Sequence, residues 1–137
     1  MTLFNQYSVW EMALFLISTF NAILFLQSGL DKVFDYSSNR SWLEGHFANS
    51  ILRGTVGILL PVITLLELLA GCTSAAAAIL EITGGHQRVM ATSLTLCSLS
   101  LLALFFGQRV AKDYAGAFTL AGYFAVELLG FLLLLRG

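Results

Sequence analysis

The chain has 137 residues, 58% of them hydrophobic and 11% charged, with a formal net charge of −1. Ordinary soluble domains run at about 45–50% apolar and about 25% charged, so there are too few charges here to coat a soluble surface, and the solvent must be lipid. The length fits one domain, 1–137, and the lack of any basic block argues against a nucleic-acid partner.

No Lys/Arg-rich leader precedes the first apolar stretch and no cleavage pattern follows it, so that stretch reads as retained. A span needs about 20 mostly apolar residues to cross about 30 Å of hydrocarbon. The first, 12–30, is interrupted by Asn21 and Gln27. Asp31 and Lys32 close it, and Lys32 reads as an anchor at the headgroup level. In the first loop Ser41-Trp42-Leu43-Glu44 has the S-x-x-E form of a capping box. Leu43, Phe47 and Ile51 then recur at helical spacing. This predicts a short amphipathic helix, lying at the interface or packed across the bundle mouth. Phe34, Tyr36 and Trp42 suit the headgroup zone.

The second span, 55–82, contains Pro61, which deletes a backbone hydrogen bond and predicts a kink. Gly71 and Ala75 offer it a close-packing face, and Gly84-Gly85 a tight turn. The third span is 89–106 and the fourth 116–135, where Ala117, Ala121 and Ala125 form a small-residue stripe suited to helix packing. Short second and third connections give an all-α, up-down-up-down transmembrane bundle. Cys72 and Cys97 lack C-x-x-C spacing and read as small buried hydrophobes.

Glu67 and Glu127 sit inside apolar runs. Insertion scales set about 2.5–3.5 kcal/mol against an acidic residue at a helix centre, roughly cancelled by neighbours worth about 0.3–0.6 each. Both should therefore face the bundle interior. Counting about 1.5 Å per residue from the assumed helix ends places Asn21, Glu67, Cys97 with Ser98, and Glu127 in one layer near the midplane. Asn21, Ser28 and Lys32 share one helix face, and Glu67, Ser74 and Glu81 another. No cation matches the depth of the acids. Burial favours the neutral carboxyl, which donates a hydrogen bond. Two readings stay open for Asn21, Glu67 and Glu127: interhelical hydrogen bonds worth about 0.6 kcal/mol each, or a proton relay or small-ligand site such as a quinone headgroup pocket. His46 and His86 fall on opposite faces and cannot share a metal or haem. No nucleophile–base or phosphate-binding motif occurs, so no catalytic residue is assigned.

Three stretches carry a family resemblance. Phe25-Leu26-Gln27-Ser28-Gly29-Leu30-Asp31-Lys32 resembles the Gly-Leu-x-Lys element near the first helix of the DoxX family of small four-helix membrane proteins. Glu67-Leu68-Leu69-Ala70-Gly71 resembles the acidic-Leu-x-x-Gly element of its second helix, and Gly107 to Gly116 the link into its last. The chain ends Leu135-Arg136-Gly137 where many members have a Gly-rich, Ser-Leu-Asp-like tail. The resemblance implies a four-helix bundle in a bacterial cytoplasmic membrane. Its functional implication is broad, because relatives include subunits of sulfur-compound:quinone oxidoreductases, cofactor-maturation factors and assembly helpers.

The expectation is a non-catalytic accessory or anchor subunit of a larger respiratory or redox complex. It would have the bilayer and other membrane subunits as partners and no cofactor of its own. The alternatives are a quinone-linked oxidoreductase subunit with a midplane pocket around Glu67 and Glu127, and a small transporter. Lys32, Arg40, Arg53, Arg109 and Lys112 lie on the face of the first and third loops, against Arg88 and Arg136 on the other, which places those loops in the cytoplasm. A cysteine placed at Ser38 is therefore expected to be shielded from an impermeant thiol reagent in intact cells, and one at Thr2 to be labelled. Labelling at Ser38 with protection at Thr2 would reverse the orientation.

Overall fold

The computed structural model describes residues 8–84 and 87–136. Thr2, Gly85 and His86 lie outside them, and with them the Thr2 label site, half of the Gly84-Gly85 turn and the His86 placement. The described residues form five helices: α1 Val9–Phe34, α2 Tyr36–His46, α3 Val56–Thr83, α4 Gln87–Val110 and α5 Tyr114–Arg136. All but α2 are long and apolar enough to cross a membrane, as expected of a multi-pass membrane protein. Helices α1, α4 and α5 run past the spans read from the sequence at both ends, because helices extend into the headgroup zone beyond their apolar stretch, while α3 matches its span to within one residue.

Local chemistry explains the ends. Ser8 caps α1, its hydroxyl accepting from the Glu11 amide at 3.2 Å. The Ser41–Glu44 cap does not form. The first-loop helix begins at Tyr36, Ser41 lies within it, and Glu44 pairs with Arg40 at 2.9 Å. The pattern has the form of a cap, but the chain is already helical one turn earlier. Helix α3 runs unbroken through Pro61. At the end of α4, Lys112 adopts the left-handed conformation (φ 62°). Its amide reaches Arg109 O, and the Asp113 amide reaches Gln108 O, a Schellman ending made without glycine. Asp113 Oδ1 then accepts from the Gly116 amide at 3.0 Å, so one residue closes α4 and caps α5.

The long helices form a closed ring in which α1 packs on α3, α3 on α4, α4 on α5 and α5 on α1. Three apolar layers fill it: Leu14, Ala77, Met90 and Leu94; then Phe25, Ala70, Cys97 and Leu101; then Phe47, Val56 and Leu60 under the first loop. Phe47 carries the loop into the bundle, against α3 and Gly107 of α4. Ile51, expected on the same buried stripe, is 82% exposed, because the helix stops at His46.

The α1–α3 contact is the tightest. A methyl added at Gly71 would lie 2.8 Å from the Leu26 backbone nitrogen, and one at Gly29 2.8 Å from Leu68 Cδ2. Gly71→Ala is thus expected to push backbone against backbone and to destabilise the bundle by about 1–3 kcal/mol, the usual cost of overpacking. Gly122, with nothing within 4 Å, should accept Ala with a change below about 1 kcal/mol. Reversible unfolding in mixed detergent micelles checks both.

Candidate functional site

The polar side chains inside the bundle fall into two groups. In the outer one, Lys32 Nζ of α1 lies 2.9 Å from Glu67 Oε1 of α3, with side-chain exposures of 14% and 1%. Lys32 also donates to Ser28 Oγ at 2.9 Å. Glu67 Oε1 receives no aligned hydrogen bond, so the Lys32–Glu67 contact is one of charge more than of direction. Two sequence expectations are corrected here. Lys32 is not a free headgroup anchor, because it turns inward, and Glu67 does have a cation at its own depth.

The inner group lies deeper. Asn21 Nδ2 of α1 donates to Glu127 Oε1 of α5 at 2.7 Å, and both residues are 0% exposed. Beside them Ser74 of α3 and Cys97 of α4 share a 3.3 Å hydrogen bond. Ser18 donates to Met90 Sδ at 3.1 Å. Asn21 Oδ1, Glu127 Oε2 and Ser98 Oγ are buried without a partner.

The single midplane layer expected from the sequence is therefore corrected. Gly29 faces Leu68 and Gly71 faces Leu26. This register sets Glu67 about nine residues, or about 14 Å, nearer the first loop than Asn21. Ser74, not Glu67, is the α3 residue at the Asn21–Glu127 level. The depth count went wrong because α3 starts well outside the end of α1, alongside the first-loop segment (Tyr36, Leu43 and Phe47 pack with Val56, Leu60 and Ile63).

Above the outer pair, a cleft of about 560 Å³ opens between the first-loop ends of α1, α3, α4 and α5, with α2 along its rim. Phe47, Leu60, Leu66, Leu104 and Leu120 line it with hydrocarbon, while Ser28, Lys32, Asn39 and Gln108 supply polar atoms. That combination of apolar walls and a few convergent polar groups is usual for a small-molecule site. At the rim Trp42 stacks on His46 at 4.4 Å, and the His46 Nε2–Gln108 Oε1 contact is 2.6 Å. His46 thereby ties α2 to α4, with Asp113 Oδ2 3.9 Å away. Sequence reading missed Asn39 and Gln108. The available signal was their position, each a polar amide near a helix end facing the same loop cluster.

The small-residue stripe of the last helix is split. Ala117 is buried, but Ala121 and Ala125 face outward, so within this chain they pack against no helix. Gly130, which meets Leu94 of α4, provides the close contact instead. Among the described residues no group of three or more His, Cys, Asp or Glu side chains could hold a metal ion. Comparison with protein-family models, curated proteins and solved structures finds no match.

Breaking a buried ion pair on one side leaves the other charge unpaired, typically at about 3–5 kcal/mol. Glu67→Leu and Lys32→Met should each destabilise the bundle on that scale. The double variant should recover most of the loss, and a double-mutant cycle measured by unfolding in micelles reads the coupling.

Proposed function

We propose that the chain is a DoxX-like, non-catalytic accessory or anchor subunit of a larger respiratory or redox complex in a bacterial cytoplasmic membrane, with the first and third loops in the cytoplasm. The observation that carries this reading is the outer face of α5. Only Ala117, Glu127 and Gly130 of that helix are buried, while Ala121, Gly122 and Ala125 stand exposed in a row. Small residues on a lipid-facing surface let the backbone of another membrane helix approach closely, where van der Waals packing drives association. The intrachain neighbours of α5 leave that strip free. The loop asymmetry of Lys and Arg supports the orientation.

A second reading is favoured by the cleft. Its apolar walls suit the ring of a quinone and Lys32, which lines it and is held by Glu67, can donate to a carbonyl oxygen, in a subunit of a quinone-linked oxidoreductase. In this reading the headgroup sits by Lys32 near the first-loop face, not at the midplane. The transporter reading gains no comparable support.

Purification from native membranes in mild detergent separates the readings. An accessory subunit should co-purify with a redox assembly. Ala121→Leu with Ala125→Leu should release it from that assembly while the isolated bundle keeps its thermal stability. Glu67→Gln, which keeps the shape of the side chain but leaves the Lys32 charge unpaired, should lower assembly and turnover in the same proportion. A Glu67→Gln complex that assembles fully yet has lost quinone turnover would overturn the accessory reading in favour of the second. A chain that purifies alone from its native membrane would defeat both.

A further inference from the structure

We propose that Glu127 and Asn21 form a proton-binding site in the core of the bundle, where one proton rests on Glu127 Oε2 and supplies the donor that Asn21 Oδ1 lacks. The site goes beyond the subunit role. It is carried by three observations on the same pair. Both side chains are fully buried. One hydrogen bond, Asn21 Nδ2 to Glu127 Oε1 at 2.7 Å, already joins them. The remaining oxygen of each, Asn21 Oδ1 and Glu127 Oε2, is buried without a partner.

Two acceptors left bare in a hydrocarbon core are costly, and a carboxylate without a counter-charge costs more. A proton on Oε2 removes both penalties at once: it neutralises the acid and turns one orphan acceptor into a donor for the other. Reversing the amide would not remove the need, because Asn21 Oδ1 would then face Glu127 Oε1, two acceptors that again require a proton between them.

The groups around the pair leave the role to the proton. From α4 the thiol of Cys97 faces Glu127 and is engaged with Ser74 of α3. From α1 the residue one turn away is Ser18, bonded to Met90. On α5 itself the titratable side chain one turn away is Tyr123. The nearest paired cation, Lys32, lies about three turns along α1 from Asn21 towards the first loop and is held by Glu67. Among the described residues no Lys, Arg or His comes within ion-pair reach of Glu127. A monovalent metal ion would need a shell of several oxygens, and beyond the pair the orphaned oxygen at this level is Ser98 Oγ. Glu67 thus has a lysine as its partner, whereas the partner left to Glu127 is a proton.

Infrared spectroscopy of the full chain in phosphatidylcholine vesicles at neutral pH tests this. The wild type should show a neutral carboxylic C=O band that moves down on 13C-carboxyl glutamate labelling. The band should vanish in Glu127→Gln and persist in Glu67→Gln. In Asn21→Ala it should move to higher frequency, because Oε1 loses the hydrogen bond it accepts. Should Glu127→Gln fail to fold, the labelled wild type and Asn21→Ala still decide the matter. Absence of a neutral glutamic band, its survival in Glu127→Gln, or a carboxylate band that responds to exchange of sodium for choline would overturn the proposal, the last in favour of a metal ion.

Discussion

The approach of α1 to α3 fixes the rest of the interior. Where Gly29 meets Leu68 and Gly71 meets Leu26, the two backbones come too close for either helix to slide past the other. A register locked at two points on opposite helices carries every other side chain with it. Lys32 arrives beside Glu67, Ser74 comes level with Asn21, and the cleft opens between the outer ends of the helices. Had the contact been made by larger side chains, the helices could slip by a turn at modest cost. The charge pair would then lose its partner in a medium where an unpaired charge is heavily penalised.

The second constraint is the solvent. In α3 the outward positions carry Ile58, Val62, Leu65, Leu69, Ile79 and Ile82, while the buried stripe includes Thr64, Glu67, Gly71, Ser74, Ala77, Ala78 and Glu81. This inverts the arrangement of a soluble helix, because aliphatic side chains gain nothing by leaving lipid for a protein core. What drives the helices together is therefore close packing of small residues and hydrogen bonds between polar ones. It also explains why chemistry-bearing side chains collect inside: the interior is the only place within the membrane where their partners can be found.

Much of this was legible in the sequence. The four spans announce themselves by length and hydropathy, and their order by short connections. The inward placement of Glu67 and Glu127 follows from the cost of exposing them to lipid. Depth was not legible. It depends on where each helix ends relative to its neighbour, which apolar runs do not record, since α1 continues from Leu30 to Phe34 and α3 begins outside it. The Lys32–Glu67 pair was missed for the same reason: a lysine at the end of an apolar run looks like an anchor until the neighbouring helix is known to start farther out. The Ser41–Glu44 pattern misled because S-x-x-E is compatible with a helix interior, where Glu44 finds Arg40 one turn back. Ala121 and Ala125 share the spacing of Ala117, but spacing alone does not tell a face turned to the bundle from one turned outward.

The closed ring also has a history written into it. Asn21 and Glu127 are separated by 106 positions in the chain, which at ribosomal rates of about 5–20 residues per second amounts to a delay on the order of ten seconds. For that interval the first helix stands in the membrane with its amide unanswered, while α3 and then α4 emerge and dock. The α1–α3 glycine contact needs only the first half of the chain and can form during the wait. Biogenesis therefore has a natural sequence, in which a steric lock between early helices holds an unfinished polar seam open until the last helix arrives to shut it.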